Sequence, residues 1–125
     1  MFEITINDKV YSFNFGIGFV REINKRNTQT VNGIKKDVGL QFAIASVIDR
    51  DLLDVLDILL VANRTAGGEK LTMKELEAYI DDESTDIDAL CDEILDFFEH
   101  SNAVKPTLAK VKELIAAQQE KNDQK

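Results

Sequence analysis

Asp51-Leu52-Leu53-Asp54-Val55-Leu56-Asp57-Ile58-Leu59-Leu60-Val61-Ala62-Asn63 is the stretch from which the fold is read. At helical spacing its only polar stripe is Asp51, Asp54 and Asp57. A helix that is apolar almost all round is buried on most sides. With Asp49-Arg50-Asp51 as its start, this segment is expected to be the central core helix. Asp51 and Asp54 fall in its first turn, where the helix dipole favours negative charge. The run from Leu52 to Ala62 is interrupted by aspartates and is far shorter than the roughly 20 residues a membrane span requires.

Upstream, Phe2, Ile4 and Ile6 alternate with polar residues, Asn7-Asp8 signals a turn, and Tyr11, Phe13 and Phe15 alternate again. Period 2 with aromatic and β-branched residues predicts a β-hairpin over residues 1–15. Two strands alone are marginal in water, so the hairpin must pack on helices or pair with another chain. A short helix is expected from Ile17 to Asn27, with Phe19, Val20 and Ile23 on one face. Thr28 to Val38 is polar and carries Asn32-Gly33, which predicts an exposed loop or small hairpin. Helical spacing resumes from Gly39 to Ile48 through Leu40, Ala43, Ile44 and Val47.

Downstream, Thr65-Ala66-Gly67-Gly68 stops the central helix. Thr72 and Glu75 form a capping-box signature for a helix using Leu76, Tyr79 and Ile80. Asp86 to Ser101 is the clearest amphipathic helix, with Ile87, Leu90, Cys91, Ile94, Leu95 and Phe98 on one face and Asp88, Asp92, Asp96 and Glu99 opposite. Pro106 suits the first residue of a last helix, through Leu108, Val111, Leu114 and Ile115, fading by about Gln118. The expected architecture is mainly α: an N-terminal β-hairpin packed on about five to six helices. Residues 1–118 form one domain (1–15 hairpin, 16–103 helical core, 104–118 terminal helix), followed by a disordered polar tail at 119–125.

Composition narrows the function. A net charge of −8 and the acidic stretch Glu75 to Glu99, with eleven carboxylates and no Lys or Arg, disfavour phosphate-neutralising nucleic-acid binding. That stretch reads either as a solvated face or as bait for a basic partner. A single cysteine cannot form an internal disulfide, and no basic region followed by an apolar run opens the chain, so an intracellular protein without a secretory signal is expected.

Candidate chemistry is sparse. Cys91 sits on an apolar face beside Asp92 and Glu93, surroundings that raise a thiol pKa and suit a structural cysteine. His100, alone of its kind, is placed to cap a helix C-terminus. Asp82, Ser84, Asp86, Asp88 and Glu93 fall at calcium-loop spacing, but Ile87 occupies the position where the sharp turn requires Gly. Gly67-Gly68-Glu69-Lys70 lacks the leading Gly of a phosphate loop, and Gly16-Ile17-Gly18 lacks the third Gly of a dinucleotide fingerprint. No enzyme activity, cofactor or metal is expected.

The ordered pattern carries a family resemblance. Phe2-Glu3-Ile4-Thr5-Ile6-Asn7-Asp8-Lys9-Val10-Tyr11-Ser12-Phe13-Asn14-Phe15-Gly16 passes into Phe19-Val20-Arg21-Glu22-Ile23-Asn24 through an aromatic-x-aromatic-Gly step. Val38-Gly39-Leu40 opens a helix, the Asp51 to Ala62 run follows, then the capped helix at Leu71-Thr72 and the acidic helix ending in Phe97-Phe98. Over about residues 1 to 118 the chain resembles the tail assembly chaperones of long-tailed, siphovirus-type bacteriophages of Gram-positive hosts.

The resemblance implies a non-enzymatic protein of the host cell cytoplasm, absent from the mature virion. It implies binding of the tape measure protein and assistance to tail tube protein polymerisation. Self-association as a homo-oligomer and a longer frameshifted form are also implied.

Leu108, Val111, Leu114 and Ile115 are the expected partner-binding residues if the last helix swings out; otherwise it packs back on the core. Phe2, Ile4, Ile6, Tyr11 and Phe13 are the expected self-association residues if the hairpin pairs with a neighbour, and core residues if it does not. The rival readings are an acidic decoy that inhibits a basic host nucleic-acid-binding protein, and a small carboxylate- or metal-dependent enzyme.

Overall fold

The computed structural model describes residues 2–123, with side chains through residue 120. In chain order the elements are β1 (Phe2–Ile6), β2 (Lys9–Phe13), α1 (Ile17–Asn24), β3 (Thr28–Val31), β4 (Ile34–Asp37), α2 (Gly39–Ile48), α3 (Leu52–Ala66), α4 (Met73–Asp81), α5 (Ile87–His100) and α6 (Lys105–Asp123). The protein is mainly α-helical, with an N-terminal β-hairpin followed by six helices and a second small hairpin between α1 and α2.

Helix α3 is the hub. From Val55 to Asn63 all residues but Asp57 are buried, and β2, α1, α2 and α4 contact it. Its start lies later than the sequence implied. Asp49 ends α2, and Arg50 adopts a left-handed conformation at φ 59°. The Asp51 N–H donates to Ser46 O at 2.9 Å and the Arg50 N–H to Val47 O at 3.2 Å, the pattern of a Schellman cap. Glycine ordinarily takes this position because it has no Cβ to strain. Arg50 holds it while its guanidinium donates to Asp88 and Asp92, one turn apart on α5. Leu52 and Leu53 therefore sit in an exposed first turn rather than in the core.

The β1–β2 hairpin pairs Phe2 with Phe13 and Ile4 with Tyr11 around an Asn7-Asp8 turn whose two residues both have positive φ. Such turns match the strand twist, and Asn and Asp tolerate that conformation. All apolar side chains of its inner face are buried. Phe2, Phe13, Phe15, Phe19, Phe97 and Phe98 form a chain of mostly edge-to-face contacts, with centroid separations of 5.1 to 6.5 Å. Such pairs add to the area they bury. They fasten the hairpin to α5, which supplies the support two strands cannot supply themselves.

Polar links complete the attachment. Asn63, only 1% exposed, donates to Ser12 O and Glu69 O and accepts from the Leu71 N–H. Its amide is thereby satisfied inside the core and ties β2 and the 67–71 loop to α3. Tyr11 Oη donates to Glu75 at 2.8 Å, joining the hairpin to α4.

Helix boundaries otherwise follow local chemistry. α1 ends at Asn24, three residues before the expected Asn27. The capping box of α4 is complete, and Asp86 caps α5 by accepting from the Ala89 N–H. α6 begins at Lys105, with Pro106 in its first turn, and runs to Asp123. The tail expected to be disordered from residue 119 is thus helical through Asp123, because Gln, Glu and Lys are good helix formers; residues 124 and 125 lie outside the described residues.

At Gly39 the chain is crowded. A Cβ there would lie 1.9 Å from Ile23 O and 2.9 Å from Asn24 O, because α2 starts against the end of α1. Gly39→Ala is expected to destabilise the protein by about 3 kcal/mol, since backbone rather than a side chain must move; urea unfolding measures it.

Glu75 also accepts from the Thr72 hydroxyl and backbone N–H. These bonds, the Thr72 hydroxyl first and Tyr11 next, lower its pKa from 4.5. The folded value lies below the unfolded one, so the contribution is complete above the unfolded value and is lost as pH falls through the folded value. Glu75→Gln should therefore lower the urea midpoint at pH 7. The gap to the wild type should close on acidification below about pH 4.

Candidate functional site

Two of the large apolar side chains that the core leaves in solvent, Phe42 and Leu114, border one groove. Phe42 on α2 is 55% exposed and Leu114 on α6 is 56% exposed, while Val31 and Ile34 at the tip of the β3–β4 hairpin are 43% and 63% exposed. The groove between α2 and α6 has a volume of about 500 Å³. Phe42 and Ala45 form one wall and Val111, Leu114 and Ile115 the other, and its polar lining is Gln29, Gln41 and Gln118. Among the described residues no charged side chain lines it, in a chain of which 30% is charged.

The groove follows from how the helices are used. α2 turns Leu40, Ala43, Ile44 and Val47 inward, which leaves Phe42 and Ala45 on its outer flank. α6 packs on α2 and α5 through its buried residues Leu108 and Val111. Leu114 lies beyond that contact. α6 is therefore docked in this structure, and its outward flank, not its whole apolar stripe, faces solvent.

Of the four α6 residues expected to meet a partner, the structure brings Val111, Leu114 and Ile115 together in the groove and closes Leu108 into the core. Phe42 completes the site and escaped the sequence reading, because its neighbours Leu40, Ala43 and Ile44 already made a full inward stripe. Phe2, Ile4, Ile6, Tyr11 and Phe13 are core residues whose side chains contact this chain's own helices. What the hairpin leaves open is backbone edge, together with the exposed Val10.

Several titratable groups are held in structural contacts. Cys91 is buried, and burial pushes its thiol pKa up. His100 Nδ1 lies 2.7 Å from Asp96 O, at the last turn of α5, and Ser101 donates its hydroxyl to Phe15 O. Asp82 binds Ser84, Asp86 caps α5, Asp88 and Asp92 hold Arg50, and Glu99 pairs with Lys112. Those contacts leave much of the acidic segment engaged within the chain, which weakens its reading as a phosphate mimic. Among the described residues, no group of three or more His, Cys, Asp or Glu is placed to hold a metal ion, and no helix is long and apolar enough to cross a membrane.

A helical scaffold with an apolar groove on its surface is suited to binding another polypeptide. The family described as phage tail assembly chaperone protein, TAC, matches residues 3–113, and the chain belongs to that family. No curated protein and no solved structure matches the chain.

Since Phe42 and Leu114 project from the fold, Phe42→Ser and Leu114→Ser should each change stability by no more than about 0.5 kcal/mol. Leu108→Ala, which opens a cavity in the core, should cost about 2–5 kcal/mol. Thermal or urea melts of the three variants separate the groove from the core.

Proposed function

We propose that the protein binds the tape measure protein of a long-tailed phage in the host cytoplasm, keeps it soluble, and assists tail tube protein to polymerise around it. It would then leave the assembly before the virion matures. The observation that carries this reading is the groove of Phe42, Ala45, Val111, Leu114 and Ile115. An assembly chaperone needs exposed apolar surface for its client without general stickiness. Here the groove gathers several such side chains, while a net charge of −8 opposes indiscriminate association. Family membership supports a role in tail assembly, and the groove supports an apolar segment of a long helical client as the bound element. The same reading includes self-association as a homo-oligomer and a longer frameshifted form.

Co-expression with a tape measure fragment that is insoluble alone tests the reading. The wild type should bring the fragment into the soluble fraction and co-purify with it. The Phe42→Ser, Leu114→Ser double variant should remain folded and lose most of that effect. A fragment that stays insoluble beside abundant wild-type protein would overturn the proposal.

A further inference from the structure

We infer that copies of this chain join head to tail by strand addition, with the β4 edge of one copy seated against the open β1 edge of the next; this rests on the self-association included in the function proposed above. Backbone geometry shows which edges are open. In an antiparallel pair, residues that exchange both hydrogen bonds alternate with residues that exchange none, and a two-residue turn is closed by a bonded pair. Around Asn7-Asp8 the bonded pairs are therefore Ile6 with Lys9, Ile4 with Tyr11 and Phe2 with Phe13. Glu3 and Thr5 on β1, and Val10 and Ser12 on β2, turn their N–H and C=O groups away from the hairpin.

The fold covers one of these edges and leaves the other. α3 caps β2: Ser12 O accepts from Asn63, and the Asn14 N–H donates to Ala62 O at 2.9 Å. The backbone groups of Glu3 and Thr5 meet no further backbone partner among the described residues. A groove of about 390 Å³ is lined there by Glu3, Ile4 and Thr5. Successive side chains of a strand point to opposite faces, so three in a row border one groove only along the strand's edge. The start of α5 forms the far wall, with Asp86, Leu90 and Glu93.

The β3–β4 hairpin is the matching element. All eight of its strand residues are exposed, so it adds nothing to the core. A two-stranded ribbon of this size is not stable by itself. Asn32 and Gly33, both at positive φ, make its two-residue turn. Its bonded pairs are Val31 with Ile34 and Gln29 with Lys36, and the Val38 N–H donating to Asn27 O at 2.8 Å continues the series. Lys35 and Asp37 on β4 thus direct their N–H and C=O groups outward.

Charge selects the pairing. Charged side chains protect an exposed edge from its own kind. The β1 edge carries Glu3 and faces Asp86 and Glu93, and no Lys or Arg occurs from Glu75 to Glu99. Lys9, the one cation of the β1–β2 hairpin, stands at its turn, close enough to Glu75 to favour the ionised carboxylate. β4 carries Lys35 and Lys36, with Asp37 at its base, and β3 carries no charge. Neither lysine takes part in an ion pair among the described residues. Like edges therefore repel, while β1 and β4 attract. The antiparallel register that sets Lys35 opposite Glu3 also sets the exposed Ile34 opposite Ile4, and it carries Asp37 past Phe2. A contact between two different patches leaves one of each free, so association continues past the dimer.

Sedimentation velocity of the full-length protein over a concentration series tests this. At low salt the wild type should form species larger than a dimer, which high salt disperses. The Lys35→Glu, Lys36→Glu variant and the Glu3→Lys, Glu93→Lys variant should each associate about tenfold more weakly. Their dilute melting temperatures should stay unchanged, since all four side chains are exposed. Mixing the two variants, or combining all four substitutions in one chain, should restore association. Hydrogen exchange reads the added strand directly: the Thr5 and Lys35 amides should slow as wild-type concentration rises, and in neither variant alone.

A protein that stays monomeric, assembly indifferent to either reversal, or reversals that do not rescue one another overturns the inference. So does Thr5 protection that appears only on adding a basic strand peptide of unrelated sequence, which would assign the edge to another protein. Assembly indifferent to the reversals leaves self-association itself standing, and tape measure solubilisation, scored separately, judges the chaperone function.

Discussion

Burial of α3 on most of its sides is the constraint from which the rest of the structure follows. Val55 to Asn63 cannot be covered by one neighbour, so β2, α1, α2 and α4 are drawn around it. Each of those elements spends its apolar face inward. The polar cost is met locally: Asn63 inside the core makes three hydrogen bonds, and the Asn14 N–H donates to Ala62 O near the end of the helix. Orphaned groups at that depth would cost about 1–3 kcal/mol each. A small domain keeps its hub only when such groups are paired.

That arrangement produces the site by leaving something over. α2 is shared between α3, α1, α5 and α6, and its flank at Phe42 and Ala45 is left without cover. α6 reaches it with Val111 and Ile115 but carries Leu114 past the contact into solvent. The result is a groove rather than a flat apolar patch. Its depth gives two apolar walls against which a helix could bury side chains, while a net charge of −8 opposes indiscriminate association.

The acidic helix α5 has a different part from the one its charge first suggests. Its apolar face closes the aromatic chain that holds the N-terminal hairpin, and Asp88 and Asp92 grip Arg50 at a left-handed turn. The carboxylates thus help to fix the corner between α2 and α3, on which the position of Phe42 depends. Arg50 is 30% exposed in this pairing, so solvent screens it and geometry rather than strength is its contribution.

Period and punctuation determined much of this protein in advance. The alternation of Phe2 to Phe15, the stripes of α3 and α5, the Thr72–Glu75 box and the Asn32-Gly33 turn each act through neighbours a few residues away, and the observed elements stand where those signals lie. Tertiary structure decided what local pattern cannot carry. It placed Arg50 in a conformation usual for glycine, because the compensating aspartates are some forty residues further on. It turned Leu108 inward and Leu114 outward, although both belong to one apolar stripe, because α2 and α5 are wide enough to cover only part of it. It made Phe42 a surface residue and set it beside Leu114. A groove is a relation between elements distant in the chain, and only packing brings its walls together.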